Sequence, residues 1–387
     1  MATNVVAIIG AGMAGLTAAL ALARHGIRSE IVDQAPQLGE VGAGLQISPN
    51  ASRILRELGV LRDIEQRWCE PQEIRLKSGV TLGALAAVPV GAFARERWGA
   101  PYGVLHRSTL QQALLSAVLR NPLCKIHLGC HIESPSDAAV ARATGEQPDL
   151  VIGADGVWSR TRARIPGAPK AHFSGNIAWR FTMAGANAPD FLDPSNVTAF
   201  LGPRTHLVCY PLKEIAGFNI VAIAAGVDPG ETWSTEGSER QSRMLAEQFS
   251  GWHPEIRKLL SNLEGATFWP LYQAGPGRWQ NGRDTVLIGD AAHAMMPFAA
   301  QGAAMAIEDA FELAGLVAST PLPEALAIYE RIRQARAARV GKRGAFNRFA
   351  YHARGPVRIA RDLVLATRSP QSLAADLDWL YGYHAKG

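Results

Sequence analysis

The chain has 387 residues, 48% hydrophobic and 19% charged, with 39 basic side chains against 34 acidic, a formal charge of +5 and a pI near 9.1. Such a length builds a large core and suggests two or three domains, and this balance excludes a disordered chain. The slight basic excess suits small anionic molecules, and the sequence lacks the Lys/Arg run that nucleic-acid binding needs.

The first predicted element is a buried strand, Val5 to Ile9, running into Gly10-Ala11-Gly12-Met13-Ala14-Gly15 and a helix that reaches about His25-Gly26. From Val5 to Ala23 there is no charge, yet glycines at these spacings describe a strand-turn-helix unit and not a membrane span. Gly10 makes the turn, Gly12 lets the backbone approach a pyrophosphate and Gly15 lets the helix lie on the sheet, with the helix N-terminus facing the anion. A second strand, Ser29 to Val32, ends at Asp33-Gln34. A carboxylate there binds ribose hydroxyls and repels a 2′-phosphate, so the tightly held nucleotide is NAD-like or FAD-like and not NADP.

A helix is predicted from Pro49-Asn50, a half-buried strand over Glu73 to Leu76, and a second helix from His106 to Leu119. The latter leads to a buried run, Leu150 to Ile152, and then Gly153-Ala154-Asp155-Gly156. Alternating strands follow at Ile177 to Phe181, Val197 to Leu201, His206 to Leu212, Phe218 to Ile223 and Thr267 to Leu271, forming a sheet-rich second domain. A third buried run, Val286 to Ile288, delivers Gly289-Asp290-Ala291-Ala292-His293. Three strand ends therefore converge on one dinucleotide.

From Ala303 onward the chain reads as helical, with a long arginine-studded helix from Tyr329 to Phe349. Its arginines, Arg331 to Arg348, recur at helical spacing beside alanines and read as a solvated face. Cys69, Cys124, Cys130 and Cys209 show neither CxxC nor metal spacing and read as buried thiols of a reducing compartment, with no disulfide and no metal. His293 reads as structural, satisfied by backbone; Met295, Met296 and Met305 read as core.

The fold class expected is α/β: a Rossmann-like dinucleotide domain interleaved with a β-sheet-rich substrate domain and followed by C-terminal helices. Its segments are 1–72, 104–172 and 276–352 for the cofactor domain, 73–103 and 173–275 for the substrate domain, and 353–387 for the helical end.

The three glycine motifs, with Val41-Gly42-Ala43-Gly44-Leu45-Gln46-Ile47-Ser48-Pro49-Asn50-Ala51, His106 to Leu110, Ile177 to Arg180, Pro297 to Ala310 and Trp379 to Tyr383, resemble the FAD-dependent aromatic hydroxylases, the single-component flavoprotein monooxygenases that include salicylate hydroxylase, 3-hydroxybenzoate hydroxylase and 6-hydroxynicotinate monooxygenase. The resemblance covers nearly the whole chain. It implies non-covalent FAD, NADH or NADPH as a transient cosubstrate without its own domain, O2, oxygen addition at the reduced flavin C(4a), and hydroxylation of a hydroxylated aromatic or heteroaromatic acid. It further implies that Gly10, Gly12, Ala14, Gly15, Asp33, Gln34, Gly44, Arg107, Asp155, Asp290, Pro297, Gly302 and Ala303 hold FAD. The last two would place backbone amides at the flavin pyrimidine, at the positive end of a helix. Two departures stand out: Asp33 where the family mostly has Glu, and an abbreviated strand meander between Glu133 and Pro148.

His206 and Tyr210 lie four apart on a predicted strand and so share a face. In the family that strand carries catalytic or substrate-orienting groups, which makes this pair the catalytic candidates, His206 acting on the substrate hydroxyl. Gln301 has a milder claim, from its loop beside the ring. The expected partner is a small aromatic acid, with no nucleic acid and no stable membrane insertion, in a cytoplasmic monomer or homodimer. A flavin oxidase or dehydrogenase without hydroxylation stays open, as do the exact substrate, loss of its carboxylate and the choice of NADH or NADPH.

Overall fold

A computed structural model describes residues 3–39, 44–133, 135–228, 230, 235–236, 239–261 and 266–387. Val41, Gly42 and Ala43 of the matching segment Val41 to Ala51 lie outside the described residues. In chain order the first part contains β1 (Val5–Ile9), α1 (Met13–Arg24), β2 (Arg28–Val32), β3 (Gly44–Ile47), α2 (Pro49–Glu57), α3 (Leu61–Glu65), β4 (Glu73–Ser78), β5 (Ala84–Pro89), α4 (Gly91–Trp98), β6 (Gly103–His106) and α5 (Arg107–Leu119). Next come β7 (Cys124–His127), α6 (Asp137–Thr144), β8 (Leu150–Gly153), β9 (Ala171–Ala184), β10 (Val197–Gly202), β11 (Thr205–Leu212), β12 (Gly217–Ala225), β13 (Thr235–Glu236), α7 (Glu239–Gln248), α8 (Pro254–Ser261), β14 (Thr267–Ala274) and β15 (Thr285–Leu287). The chain closes with α9 (Asp290–His293), α10 (Gly302–Ser319), α11 (Leu322–Tyr351), α12 (Gly355–Thr367), α13 (Pro370–Ala375) and α14 (Asp378–Tyr381).

One sheet is parallel, in the order β15-β8-β1-β2-β7. Every residue of β1 is buried, because a parallel sheet is covered on both faces. Val6 and Ile8 look toward α1, α5 and α10; Ala7 and Ile9 meet Val140 of α6 and Ile132. The abbreviated region after Glu133 is thus a helix that closes the second face, where the sequence suggested the remnant of a strand meander. The order places β15, β8 and β1 side by side, with Ile9 opposite Gly153 and Gly153 opposite Leu287. The three glycine motifs therefore emerge at one edge.

The second sheet, β13-β14-β9-β12-β11-β10-β4-β5, is antiparallel except at β10-β4. Alternation sorts its side chains into two cores. Trp179, Phe181, Leu207, Cys209, Ile220 and Phe268 pack under α7 and α8 with Phe249, Trp252 and Ile256. The opposite face turns to the parallel-sheet unit and carries Ala178, Ile223, Tyr210, Val208 and Trp269. Helices α7 and α8 were not foreseen in the sheet-rich stretch. A two-stranded ribbon, β3-β6, sets Gly44 opposite His106.

Two readings need correction. Arg333 and Arg336 are not solvated: they are 0% and 7% exposed and lie against α10. Arg333 bonds Glu308 (2.9 Å), Asp309 (2.7 Å) and Glu312 (3.2 Å), while Arg336 bonds Glu308 (2.8 Å). Burial becomes tolerable because every charge has an opposite partner. Of the cysteines, Cys209 is buried, but Cys69, Cys124 and Cys130 are half-buried; all four are free thiols.

Candidate active site

At the end of β1, Gly10 has φ +107°, and a Cβ there would lie 2.4 Å from the Ala154 carbonyl oxygen. A Cβ on Gly15 would meet the Gly10 oxygen at 1.9 Å. These glycines are demanded by protein packing. Gly12 differs: its φ is −73°, it precedes α1 without a side-chain cap, and a Cβ on it would meet no protein atom within 4 Å. Uncapped N–H groups at the start of α1 thus face open space, the arrangement that receives a phosphate. Ala14 comes up to Gly289, whose added Cβ would sit 3.3 Å from the Ala14 methyl.

Asp33 follows β2, and its carboxylate accepts from Ala11 N (2.7 Å) and Ala35 N (2.8 Å). It braces the glycine turn while each oxygen keeps a lone pair for a ribose hydroxyl. Gln34 beside it is exposed. Asp155 is turned inward: its carboxylate accepts from Ser159 Oγ (2.6 Å), Arg160 N (2.9 Å), Thr161 N (3.0 Å) and Thr161 Oγ1 (2.9 Å). It fixes the loop beside Gly10. Asp290, at the start of α9, is exposed at the same sheet edge.

Arg162, which no local sequence signal separates from Arg160 and Arg164, ties the second motif to the third. It donates to the carbonyls of Val157 (2.6 Å), Asp290 (3.0 Å) and Ala291 (2.8 Å). Burial lowers the pKa of its guanidinium, and the carboxylates of Asp155 and Asp290 offset this in part. Behind α9, His293 is structural as expected, but its partner is the Asp309 carboxylate and not backbone. Burial disfavours its imidazolium, yet Asp309 outweighs that and raises its pKa; Asp309 falls to about 2 despite burial, held down by His293 and Arg333.

Pro297 opens a 3-10 turn to Ala299; Ala300 takes φ +51°, and α10 then begins at Gly302 and Ala303. Gly302 again faces open space, and no side chain caps this 18-residue helix. Gln301, 2% exposed, turns into the protein, donating to Ser48 Oγ (3.0 Å) and accepting from Asn50 Nδ2 (3.1 Å). Asn50 also donates to Glu308 (2.6 Å). The buried charge cluster thereby fixes the approach of the Pro297–Gly302 turn to β3.

Gly44, on β3, donates its N–H to Asn219 Oδ1 (2.7 Å), and a Cβ on it would strike the Tyr210 ring at 2.5 Å. Arg107 follows His106, the residue opposite Gly44. Tyr210 and His206 do share the inward face of β11, but four residues span roughly 13 Å of strand, and they occupy different neighbourhoods. Tyr210 sits by Gly44 and Asn219. His206 packs on Phe298 (centroids 5.0 Å apart), and its Nδ1 lies 2.9 Å from His352 Nε2. Burial and then His352 hold His206 well below the usual imidazole pKa, and burial first raises that of Tyr210. At neutral pH one is an uncharged acceptor and the other a protonated donor. His352, missed in the sequence, lines a groove of about 1100 Å³ along α11.

A family model for the FAD binding domain matches residues 2–343. The chain is 34% identical to 3-amino-4-hydroxybenzoate 2-monooxygenase PtmB3 of Streptomyces platensis, over 98% of this chain and 96% of the relative. It is 33% identical to 3-hydroxybenzoate 6-hydroxylase 1 of Aquipseudomonas alcaligenes, over 98% of each. A salicylate hydroxylase substrate complex shares the fold at a TM-score of 0.79 and 22% identity, over 99% of this chain and 96% of that one. The residues present fit FAD: two glycines open onto protein-free space at the starts of α1 and α10, and the Asp33 carboxylate stands beside the first of them at the end of β2.

Proposed function

This chain belongs to the FAD-binding-domain family of monooxygenases, and we propose that it hydroxylates a hydroxylated aromatic acid of the hydroxybenzoate type at the FAD-facing side of the antiparallel sheet. Relatives named for 3-hydroxybenzoate and 3-amino-4-hydroxybenzoate support this substrate class. When bound, FAD supplies the chemistry, taking electrons from NAD(P)H and activating O2. The chain supplies position, charge and dryness.

Gly10, Gly12, Ala14 and Gly15 seat the pyrophosphate at α1; Asp33, with Gln34, meets the adenosine ribose; and Asp290, with the loop fixed by Asp155, borders the ribityl chain. Gly44, Arg107, Pro297, Gly302 and Ala303 frame the ring, where the start of α10 favours negative charge. Phe298, Val208, Val221 and Trp269 exclude water. His206, neutral and with Nδ1 engaged by His352, offers Nε2 as a hydrogen-bond acceptor to the substrate hydroxyl, polarising it and raising the nucleophilicity of the aromatic ring. Tyr210 donates at the other end of the face.

The observation that carries this reading is an open α10 start set against a sheet face that bears His206, packed on Phe298, and Tyr210. The test is NAD(P)H oxidation by the purified yellow protein across a panel of hydroxybenzoates, with product identification. A hydroxylated product formed in step with NAD(P)H is expected. Hydrogen peroxide as the sole stoichiometric product would favour an oxidase instead.

A further inference from the structure

The groove of about 1100 Å³ along α11 takes no part in the chemistry above. Among the described residues its lining holds three arginines, Arg204, Arg348 and Arg354, and no Lys, Asp or Glu. All three surround His352. Arg204, in the turn between β10 and β11, donates its backbone N–H to the His352 carbonyl (3.3 Å). Arg348 stands one helical turn before His352, and burial and then this charge lower the His352 pKa to about 4; Arg354 follows just after α11 ends. Each is exposed, and among the described residues none makes an ion pair. A cleft lined by one sign of charge concentrates the opposite one. The floor is α11 itself, where Ala337, Gly341, Gly344 and Ala345 recur at helical spacing. A Cβ on Gly341 or Gly344 would meet nothing within 4 Å outside its own helical backbone, so packing does not account for two glycines in a helix interior, which they weaken. Phe298 forms part of the wall and packs on both His206 and His352, with centroids 5.0 and 5.4 Å apart. The arginine end of the groove therefore adjoins the Pro297–Gly302 turn.

We propose that this groove is where NAD(P)H docks, its pyrophosphate gripped by Arg204, Arg348 and Arg354, its adenosine laid along the α11 floor and its nicotinamide directed past Phe298 toward the flavin. The chain has one dinucleotide fingerprint, Gly10 to Gly15, and FAD takes it, so the electron donor binds elsewhere. Guanidinium forks match phosphate oxygens, and because these three are exposed their grip is modest, as suits a cosubstrate that leaves after each turnover. Size argues the same way. Sites for drug-sized ligands run to about 300–1,000 Å³, so a one-ring acid would leave most of this groove empty, whereas from Ala337 to Arg348 the floor is roughly 16 Å long at 1.5 Å per residue. FAD is not its occupant, since Gly12, Asp33 and Gly302 lie outside the lining.

This inference rests on NAD(P)H as the electron donor and not on which acid is hydroxylated, and its test separates the two. FAD-loaded wild type and the double variant Arg348→Gln/Arg354→Gln are mixed anaerobically with rising NADH or NADPH, following loss of the oxidised-flavin absorbance; Arg204, held at φ +63°, is left in place. Both proteins are also titrated calorimetrically with ADP-ribose, which keeps the pyrophosphate without the nicotinamide, and with the hydroxybenzoate that wild type binds best. The variant should need about 10- to 100-fold more donor to half-saturate reduction and should bind ADP-ribose correspondingly more weakly, the loss of charge-assisted phosphate contacts. The rate at saturation, FAD content and acid binding should stay as in wild type. Unchanged donor half-saturation overturns the site and leaves the donor reading standing. An acid affinity that falls as far as the donor's makes the groove the acid's entry route and overturns the site too. A wild type reduced by neither nucleotide overturns both. If the double variant loses FAD, Gly341→Glu decides: it sets a carboxylate on the groove floor where a Cβ has room, so donor half-saturation should rise about 10-fold or more, and wild-type half-saturation there refutes the proposal.

Discussion

Gly12→Ala and Gly10→Ala should fail for opposite reasons. At Gly10 a side chain would be held at φ +107° with its Cβ 2.4 Å from a backbone oxygen of Ala154. Backbone strain of about 1–3 kcal/mol and overpacking of about 1–3 kcal/mol add to a cost of roughly 2–6 kcal/mol in fold stability. At Gly12 the backbone is ordinary and the new methyl meets no protein atom within 4 Å. Loss of glycine freedom in the unfolded chain contributes about 0.4–1 kcal/mol of stability, against a similar cost for alanine at a helix cap. The apoprotein should therefore unfold within about 1 kcal/mol of wild type. FAD is another matter, because the methyl occupies the space that brings the pyrophosphate to the amides. Two charge-assisted bonds at about 1.5–3 kcal/mol each correspond to a 10²- to 10⁴-fold loss of affinity. Denaturant unfolding of apoproteins and quenching of FAD fluorescence on titration measure the two quantities separately. Wild-type FAD affinity in Gly12→Ala would refute the placement of the pyrophosphate, and an apoprotein destabilised as much as Gly10→Ala would refute the claim of open space.

His206→Ala should keep FAD and its reduction by NAD(P)H, yet hydroxylate about 10²- to 10⁴-fold more slowly and divert electrons to hydrogen peroxide; coupled turnover at the wild-type rate would make His206 merely structural. Arg333→Met removes the cation shared by three buried carboxylates, leaving Glu308 to Arg336 and Asp309 to His293, and should cost about 3–5 kcal/mol in chemical denaturation, whereas exposed Arg331→Ala should change stability by less than about 0.5 kcal/mol; similar costs for both would contradict the buried cluster. The His293–Asp309 pair gives a signed pH effect. His293 has a raised folded pKa, so its contribution is whole below about 6.5 and fades as pH rises through the folded value. Asp309 is depressed to about 2, so its contribution is whole above about 3.9 and fades as pH falls. The Tm gap between wild type and His293→Gln should thus be wider at pH 5.5 than at pH 8.5, and a gap that grows with pH would be inconsistent with this pairing.

Much of the cofactor site was legible because its signals are local. Gly10, Gly12 and Gly15 answer to the geometry of one turn, and an apolar run ending in glycine marks a buried strand whatever lies around it. Alternation along β9, β11 and β12 likewise assigned faces before any partner was known, which is why His206 and Tyr210 were placed correctly on one side of β11. The resemblance to aromatic hydroxylases rested on these same local motifs.

What the sequence alone left undecided depends on which elements meet. Arg333 and Arg336 have the spacing of a solvated face, and only the packing of α11 on α10, with Glu308, Asp309 and Glu312 opposite, turns them inward. Asp155 could face a ligand or its own turn, and the turn through Ser159 and Thr161 took the carboxylate. His352 lies 146 residues from His206 and joins it across the junction of α11 and β11. Backbone geometry is set by neighbours along the chain, whereas the meaning of a charge is set by what surrounds it in space.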